Sequence, residues 1–290
     1  MPPPTTSAPP SAGVLALFED LLALPTTSPD KPSLAENLLD VLEVCAVAAG
    51  LKTCHLHGDG FRDPERLTTL AAIAQRHGLH TRRTPRCRPA QARPSRLAPA
   101  VQAHLNALGD ARRAAAPEVL WVYREPDTAT RIDAAVVGEA NLGDLLGYPR
   151  CCATAHAETA QYWLEAYVAA LQAQYPSTDT DHLLQLLASD APVDPARLPA
   201  PTATEPSGSV FPYVSFDACR SCQSQAHSPA TAAQAPLRDL AFALAKPFAL
   251  HLWQAQLAEA GAAAPTVETP CPCGSGQACV LCCGATPSAT

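Results

Sequence analysis

The run CPCGSGQACVLCCG, positions 271 to 284, constrains this chain more than any other feature, because it gathers five of the twelve cysteines into a segment too short to bury a core of its own. Cys271 and Cys273 flank one residue, eight residues follow, and Cys282 and Cys283 are adjacent. Four thiolates drawn from two short elements match a tetrahedral zinc site. Gly274 and Gly276 let the backbone turn tightly enough for amide N–H groups to face the sulfurs. Metal then stabilises the segment in place of a core, by about 10–16 kcal/mol in small zinc peptides. The competing reading is a set of incidental reduced thiols or a disulfide pair.

The run resembles the SEC-C metal-binding motif, C-x-C-G-S-G followed by a short insert and C-C or C-H before glycine, named for the tail of the SecA preprotein translocase. Every fixed position is present. The resemblance implies that Cys271, Cys273, Cys282 and Cys283 are zinc ligands, with Cys279 in the variable insert. It also implies a docking or stabilising module, since the SecA module is associated with binding other macromolecules, the SecB chaperone among them. A protein partner is therefore expected at this end of the chain. Here QACVL stands where the motif is usually basic and aromatic. Four protein ligands leave no open position, so this zinc is expected to be structural.

The N-terminal MPPPTTSAPPSAG has no cationic start and no apolar core of signal-peptide length, and no segment approaches the roughly 18 consecutive apolar residues of a membrane span. A cytoplasmic location without membrane association is expected. Thiols are kept reduced there, so the cysteines read as ligands, nucleophiles or buried apolar groups rather than a disulfide framework. A net charge of -7 argues against a general binder of nucleic acid or anionic membrane.

A second set of cysteines lies in LGYPRCCATAH, 146 to 156, where Pro149 opens a helix with Cys151 and Cys152 in its first turn. Free backbone N–H groups and the helix dipole favour a thiolate at that position. His156, four residues after Cys152, shares its face. Downstream, FPYVSFDACRSCQSQAH supplies Cys219 and Cys222 as C-x-x-C, with His227 five residues later. Three readings stay open. The set is a shared metal site of four cysteines, or of three and His156, holding zinc or iron; or a redox or sulfur-handling dithiol; or thiols buried as small hydrophobes. A metal with an open position would support catalysis through a polarised water or thiol. The two motifs are also similar to an uncharacterised archaeal and bacterial family in which LGYP-x-CC is followed, after a helical insert, by a cysteine pair. That similarity implies a joint site and no particular activity.

Weaker signals remain. CHLHGDG, 54 to 60, puts His55 and His57 on one face of a strand with Asp59 behind them, either as metal ligands or as polar residues facing solvent. The stretch from Arg76 to Arg96 holds seven arginines interleaved with proline rather than aromatics, as in a solvated linker or in a contact with RNA or an acidic partner. There is no G-x-G-x-x-G, G-x-S-x-G or H-E-x-x-H motif.

Residues 1–12 form a Pro/Thr/Ser tail. Helical spacing follows up to Leu24 and again from Ser33, a candidate N-cap, to Gly50, a candidate stop. Next come a strand at 51–58, a helix at 63–78 and a strand from Leu79; VLWVYREP (119–126) and RIDAAVVG (131–138) then read as two strands joined by a turn. This alternation predicts a small α/β layer domain over 13–138. Residues 139–264 form a mainly helical domain carrying the CC and CxxC motifs, with a break or kink at Pro247, and 265–290 hold a linker and the zinc module. The class is α+β. The first functional reading is a metal-dependent binding or scaffold protein. The second is a metal- or thiol-dependent enzyme of a specialised biosynthetic pathway, centred on Cys151, Cys152, His156, Cys219 and Cys222. The third is an RNA-associated accessory protein using Arg82, Arg83, Arg86 and Arg88.

Overall fold

Helix α2, Leu34–Ala48, organises the computed structural model of the protein: every residue from Val41 to Val47 is buried. The structure describes residues 9–24, 34–57, 64–87, 94–115, 118–176, 179–198, 211–216, 218–225, 227–259, 269–273, 275, 277–278 and 282. Helix α1, Ala12–Leu22, starts where the Ser11 hydroxyl accepts the Val14 N–H, and it buries Val14, Leu17, Phe18 and Leu21, the i, i+3, i+4, i+7 stripe of an amphipathic helix. Helices α10, Pro229–Leu244, and α11, Lys246–Glu259, close over α2 from the far end of the sequence, so the largest core joins residues 14–79 to Tyr213, Leu240, Trp253 and Cys271. The break between α10 and α11 falls at extended Ala245 (φ -161°, ψ 121°), two residues before Pro247.

After α2, Gly50 takes φ +74°. Its N–H and that of Leu51 return to the carbonyls of Val47 and Ala46, closing the helix end in a left-handed turn. The chain then enters β1, Cys54–His57; α3, Pro64–Arg76; β2, His80–Thr84; α4, Pro99–Ala115; and β3, Val119–Tyr123. The sheet order is β1-β3-β2, with β3 antiparallel to both neighbours and Cys54 and His80 both opposite Tyr123. All of β3 is buried because both its faces are covered. Leu120 and Val122 enter the α2 core, whereas Val119, Trp121 and Tyr123 pack with Ile132, Ala135, Leu145 and Leu146 on the other side. Strand β1 alternates likewise, turning Cys54 and Leu56 to that second layer.

The second layer corrects one expectation. Residues 131–138 do not form a strand; Thr128–Val137 is helix α5. Its β-branched residues resemble a strand locally, but Thr128, Ile132 and Ala135 are the buried positions, at helical spacing. Gly138, at φ 85°, ends the helix, with the Glu139 N–H returning to Ala134. Helix α4 was not recognised from the sequence, although Val101, Leu105 and Leu108 follow one face; it packs with α7, Arg150–Gln174, and α8, Thr180–Ala188, in a separate apolar cluster. The mixed helical and antiparallel composition is that of the expected α+β class. No helix among the described residues is long and apolar enough to cross a membrane.

Leu42 is 0% exposed and Leu164 is 37% exposed. Leu42→Ala should therefore lower unfolding stability by about 2–5 kcal/mol, and Leu164→Ala by no more than about 0.5 kcal/mol, read from chemical-denaturation midpoints.

Candidate metal centre

The central cysteines are assembled by two short helix starts. Helix α6, Leu142–Leu145, is capped by the Asn141 side chain and ends at Gly147, φ +76°, where the Tyr148 N–H returns to the Gly143 carbonyl. This tight stop aims Pro149 into the N-cap of α7, and its carbonyl accepts from Cys152 and Ala153. Cys151 and Cys152 thus occupy the first turn of α7, as the sequence implied. Cys219 caps helix α9, Arg220–Gln223, and Cys222 follows one turn on, which turns both C-x-x-C sulfurs to the same side.

The four sulfur atoms lie within 4.8 Å of one another. Cys151 Sγ is 3.9 Å from Cys152 Sγ and 3.6 Å from Cys222 Sγ, and the last two are 3.7 Å apart. Four sulfurs placed tetrahedrally at about 2.3 Å from zinc would be about 3.8 Å apart. A disulfide would need about 2.05 Å. Cys152 and Cys222 are fully buried, Cys219 is half-buried and Cys151 is exposed, so the group opens to solvent on one side. Ala218, Ala230, Phe211 and Phe216 wall the other side.

Electrostatics match that arrangement. Burial pushes the Cys151 and Cys152 thiols up. Burial also opposes ionisation of Cys222, but the Ala230 N–H and the neighbouring thiols of Cys151, Cys152 and Cys219 outweigh it and bring its pKa below the ordinary range. The Cys219 N–H points at Cys152 Sγ at 3.4 Å. Four thiolates this close repel one another strongly unless a cation sits among them, and a divalent metal deprotonates its thiol ligands outright. His156 is exposed one turn along α7, and His227 is also exposed; the ligand atoms that converge here are the four sulfurs.

At the C-terminus, Cys271, Cys273 and Cys282 bring their sulfurs within 4.8 Å. A bridge between Pro270 and Ala278, with the Cys271 N–H bonded to Gln277 O at 2.7 Å, forms the turn that joins them. Burial resists ionisation of Cys273, yet hydrogen bonds from the Ser275 hydroxyl, the Cys271 thiol, the Ser275 N–H and the Cys282 thiol bring its pKa down to about 6. Cys283 and Cys279 lie outside the described residues. Cys271 packs into the main core.

Cys45 and Cys54 behave as buried hydrophobes. Burial pushes Cys45 and Cys54 up to about 12, and the Cys54 thiol donates to Leu145 O. Among the arginines, Arg76 pairs with Asp20, Arg82 with Asp133, and Arg83 donates to Thr68, so these three are engaged within the chain; Arg88 lies outside the described residues. His55 and His57 share a face, as their spacing suggested, and the carboxylate that meets them is Asp40 of α2; Asp59 lies outside the described residues. Asp40 and Glu43 were missed, although two acids set among Leu39, Val41, Leu42 and Val44 on an apolar helix face are a legible signal.

No protein-family model matches the chain, and neither curated proteins nor solved structures include a detectable relative. The functional reading therefore rests on geometry: each of the three groups of side chains could hold a metal ion.

Gly143 positions the first cysteine pair, because a Cβ there would sit 2.5 Å from Ala153 Cβ in the first turn of α7. Gly143→Val should cost about 1–3 kcal/mol of stability, read from chemical-denaturation midpoints.

Proposed function

We propose that the protein is a zinc-binding protein of the binding or scaffold kind, with a four-cysteine centre at Cys151, Cys152, Cys219 and Cys222 and a SEC-C-like module at Cys271, Cys273, Cys282 and Cys283. The carrying observation is the spacing of the Cys151, Cys152 and Cys222 sulfurs, 3.6–3.9 Å, with the Cys219 sulfur within 4.8 Å of each, which suits one tetrahedral ion. Four thiolates complete that ion's coordination. They leave no position for substrate, so the centre's role is to fasten α9 and its flanking segment to the start of α7. The small apolar cluster around it has only Cys152, Ala218, Cys222 and Ala230 as buried members, which is too little to hold those segments by packing alone. The C-terminal module, by its resemblance to SEC-C, presents a surface to a protein partner, and it is seated on the main core through Cys271.

The exposure of Cys151 supports a second reading, in which one thiolate of the centre is reactive and the protein is a metal- or thiol-dependent enzyme.

Elemental analysis and cobalt substitution of anaerobically purified protein test the first reading. Two equivalents of thiolate-bound metal are expected, reported by sulfur-to-cobalt charge-transfer absorption. Cys222→Ser should abolish the central equivalent and Cys273→Ser the C-terminal one. A central cluster that takes up no metal, or that oxidises and reduces reversibly with a thiol probe while metal-free, would favour the thiol reading. Elemental identity separates zinc from iron, both of which suit four sulfurs.

A further inference from the structure

Beneath the sheet, and separate from every cysteine centre, two imidazoles and a carboxylate converge. His55 and His57 leave β1 on the α2 side, each 2% exposed, and Asp40 reaches them from α2. His55 Nε2 lies 3.2 Å from Asp40 Oδ1, and His57 Nδ1 lies 3.0 Å from Asp40 Oδ2. One donor atom from each of the three residues falls within 4.8 Å of the other two. Ligand atoms about 2.0–2.1 Å from one metal, at angles between 90° and tetrahedral, are separated by about 2.8–3.4 Å. The observed contacts lie in that range.

A second carboxylate orients the cluster from the far side of His55. Glu43 is almost fully buried, and its Oε2 sits 2.8 Å from His55 Nδ1. Its Oε1 accepts from Lys52 Nζ and from the Ser215 hydroxyl, each at 2.7 Å. Glu43 is thus tied to a cation, a hydroxyl and an imidazole at once, and this contact orients His55 with Nδ1 toward Glu43 and Nε2 toward Asp40. The opposite nitrogen, Nε2, is buried and faces Asp40 Oδ1 at 3.2 Å. A histidine with one nitrogen against a carboxylate and the other turned toward a metal is the carboxylate–histidine–metal arrangement.

We infer that Asp40, His55 and His57 form a third metal site, binding one divalent first-row transition ion through two nitrogens and one carboxylate, with Glu43 as the positioning residue for His55. The donor set excludes the soft thiolate chemistry of the cysteine centres, and its two imidazoles disfavour calcium and magnesium. A cavity of about 10 Å³, lined on its polar side by Asn37, Asp40, His57 and Arg66, adjoins the site. That is room for about one water, a fourth ligand, and none for an organic substrate. The site therefore braces α2 against β1, and any chemistry there is confined to a water-sized molecule.

The rival occupant of the same position is a proton. His55 can stand as an imidazolium between Asp40 and Glu43, and the two carboxylates, working against burial, push its pKa up to about 9. Cobalt(II) titration of the metal-depleted full-length protein separates the two. The expected result is one equivalent with visible d–d bands and no sulfur charge transfer, additional to the thiolate-bound cobalt. Asp40→Asn and His57→Gln should each remove that equivalent and leave the charge-transfer bands unchanged; Cys222→Ser should do the reverse. Wild-type protein alone suffices if a variant fails to fold, through cobalt-edge X-ray absorption and nitrogen NMR of the histidines. All bound cobalt coordinated by sulfur, or His55 carrying protons on both nitrogens with cobalt saturating, would overturn the site.

Discussion

Burial of α2 on nearly every side is the constraint that the rest of the molecule serves. A helix with Leu42, Val44, Cys45, Ala46 and Val47 all fully buried cannot be satisfied by one partner, so α1, α10, α11 and the sheet each cover part of it. Most helical stability comes from such tertiary packing rather than from propensity. The same burial makes Glu43 consequential. A carboxylate taken from water must recover its hydrogen bonds, and Glu43 recovers them from Lys52, His55 and Ser215.

Those partners carry the core's polar network outward. Ser215, bonded to Glu43, is 3.0 Å from the Tyr148 hydroxyl, while Lys52 lies over the Tyr148 ring and Phe216 packs against it. Tyr148 is the residue that ends the α6 turn before Pro149, and Ser215 and Phe216 lead toward Cys219. The segments bearing the two cysteine pairs are thus joined through Glu43 as well as meeting at the sulfurs. A hydrogen-bonded network specifies one arrangement more sharply than apolar contact does.

Legibility in the sequence followed the range of the interaction. The Cys151–Cys152 helix start, the Cys219–Cys222 turn, strands β1 and β3, and the break before Pro247 were readable because caps, turn residues and short periods are local. Residues 131–138 were misread as a strand because Ile132, Val136 and Val137 favour strands locally, while the layer beneath Trp121 demanded a helical face. The burial of Asp40 and Glu43 is legible in their apolar setting on α2, but their histidine partners are not, because these come from a strand that follows α2 in the chain and packs back against it.

What the sequence by itself determined is the inventory: which residues are chemically able to bind metal, which short turns present them, and that apolar stripes long enough for a helical core exist. Only tertiary structure decided which of those residues meet. Cys152 and Cys222 are 70 positions apart, and Glu43 and Ser215 are 172 apart. Periodicity decays as soon as the chain turns, and contacts over such separations are set by how helices and sheet share one buried volume. The candidate ligands are therefore written locally in this chain, whereas their geometry belongs to the packed molecule.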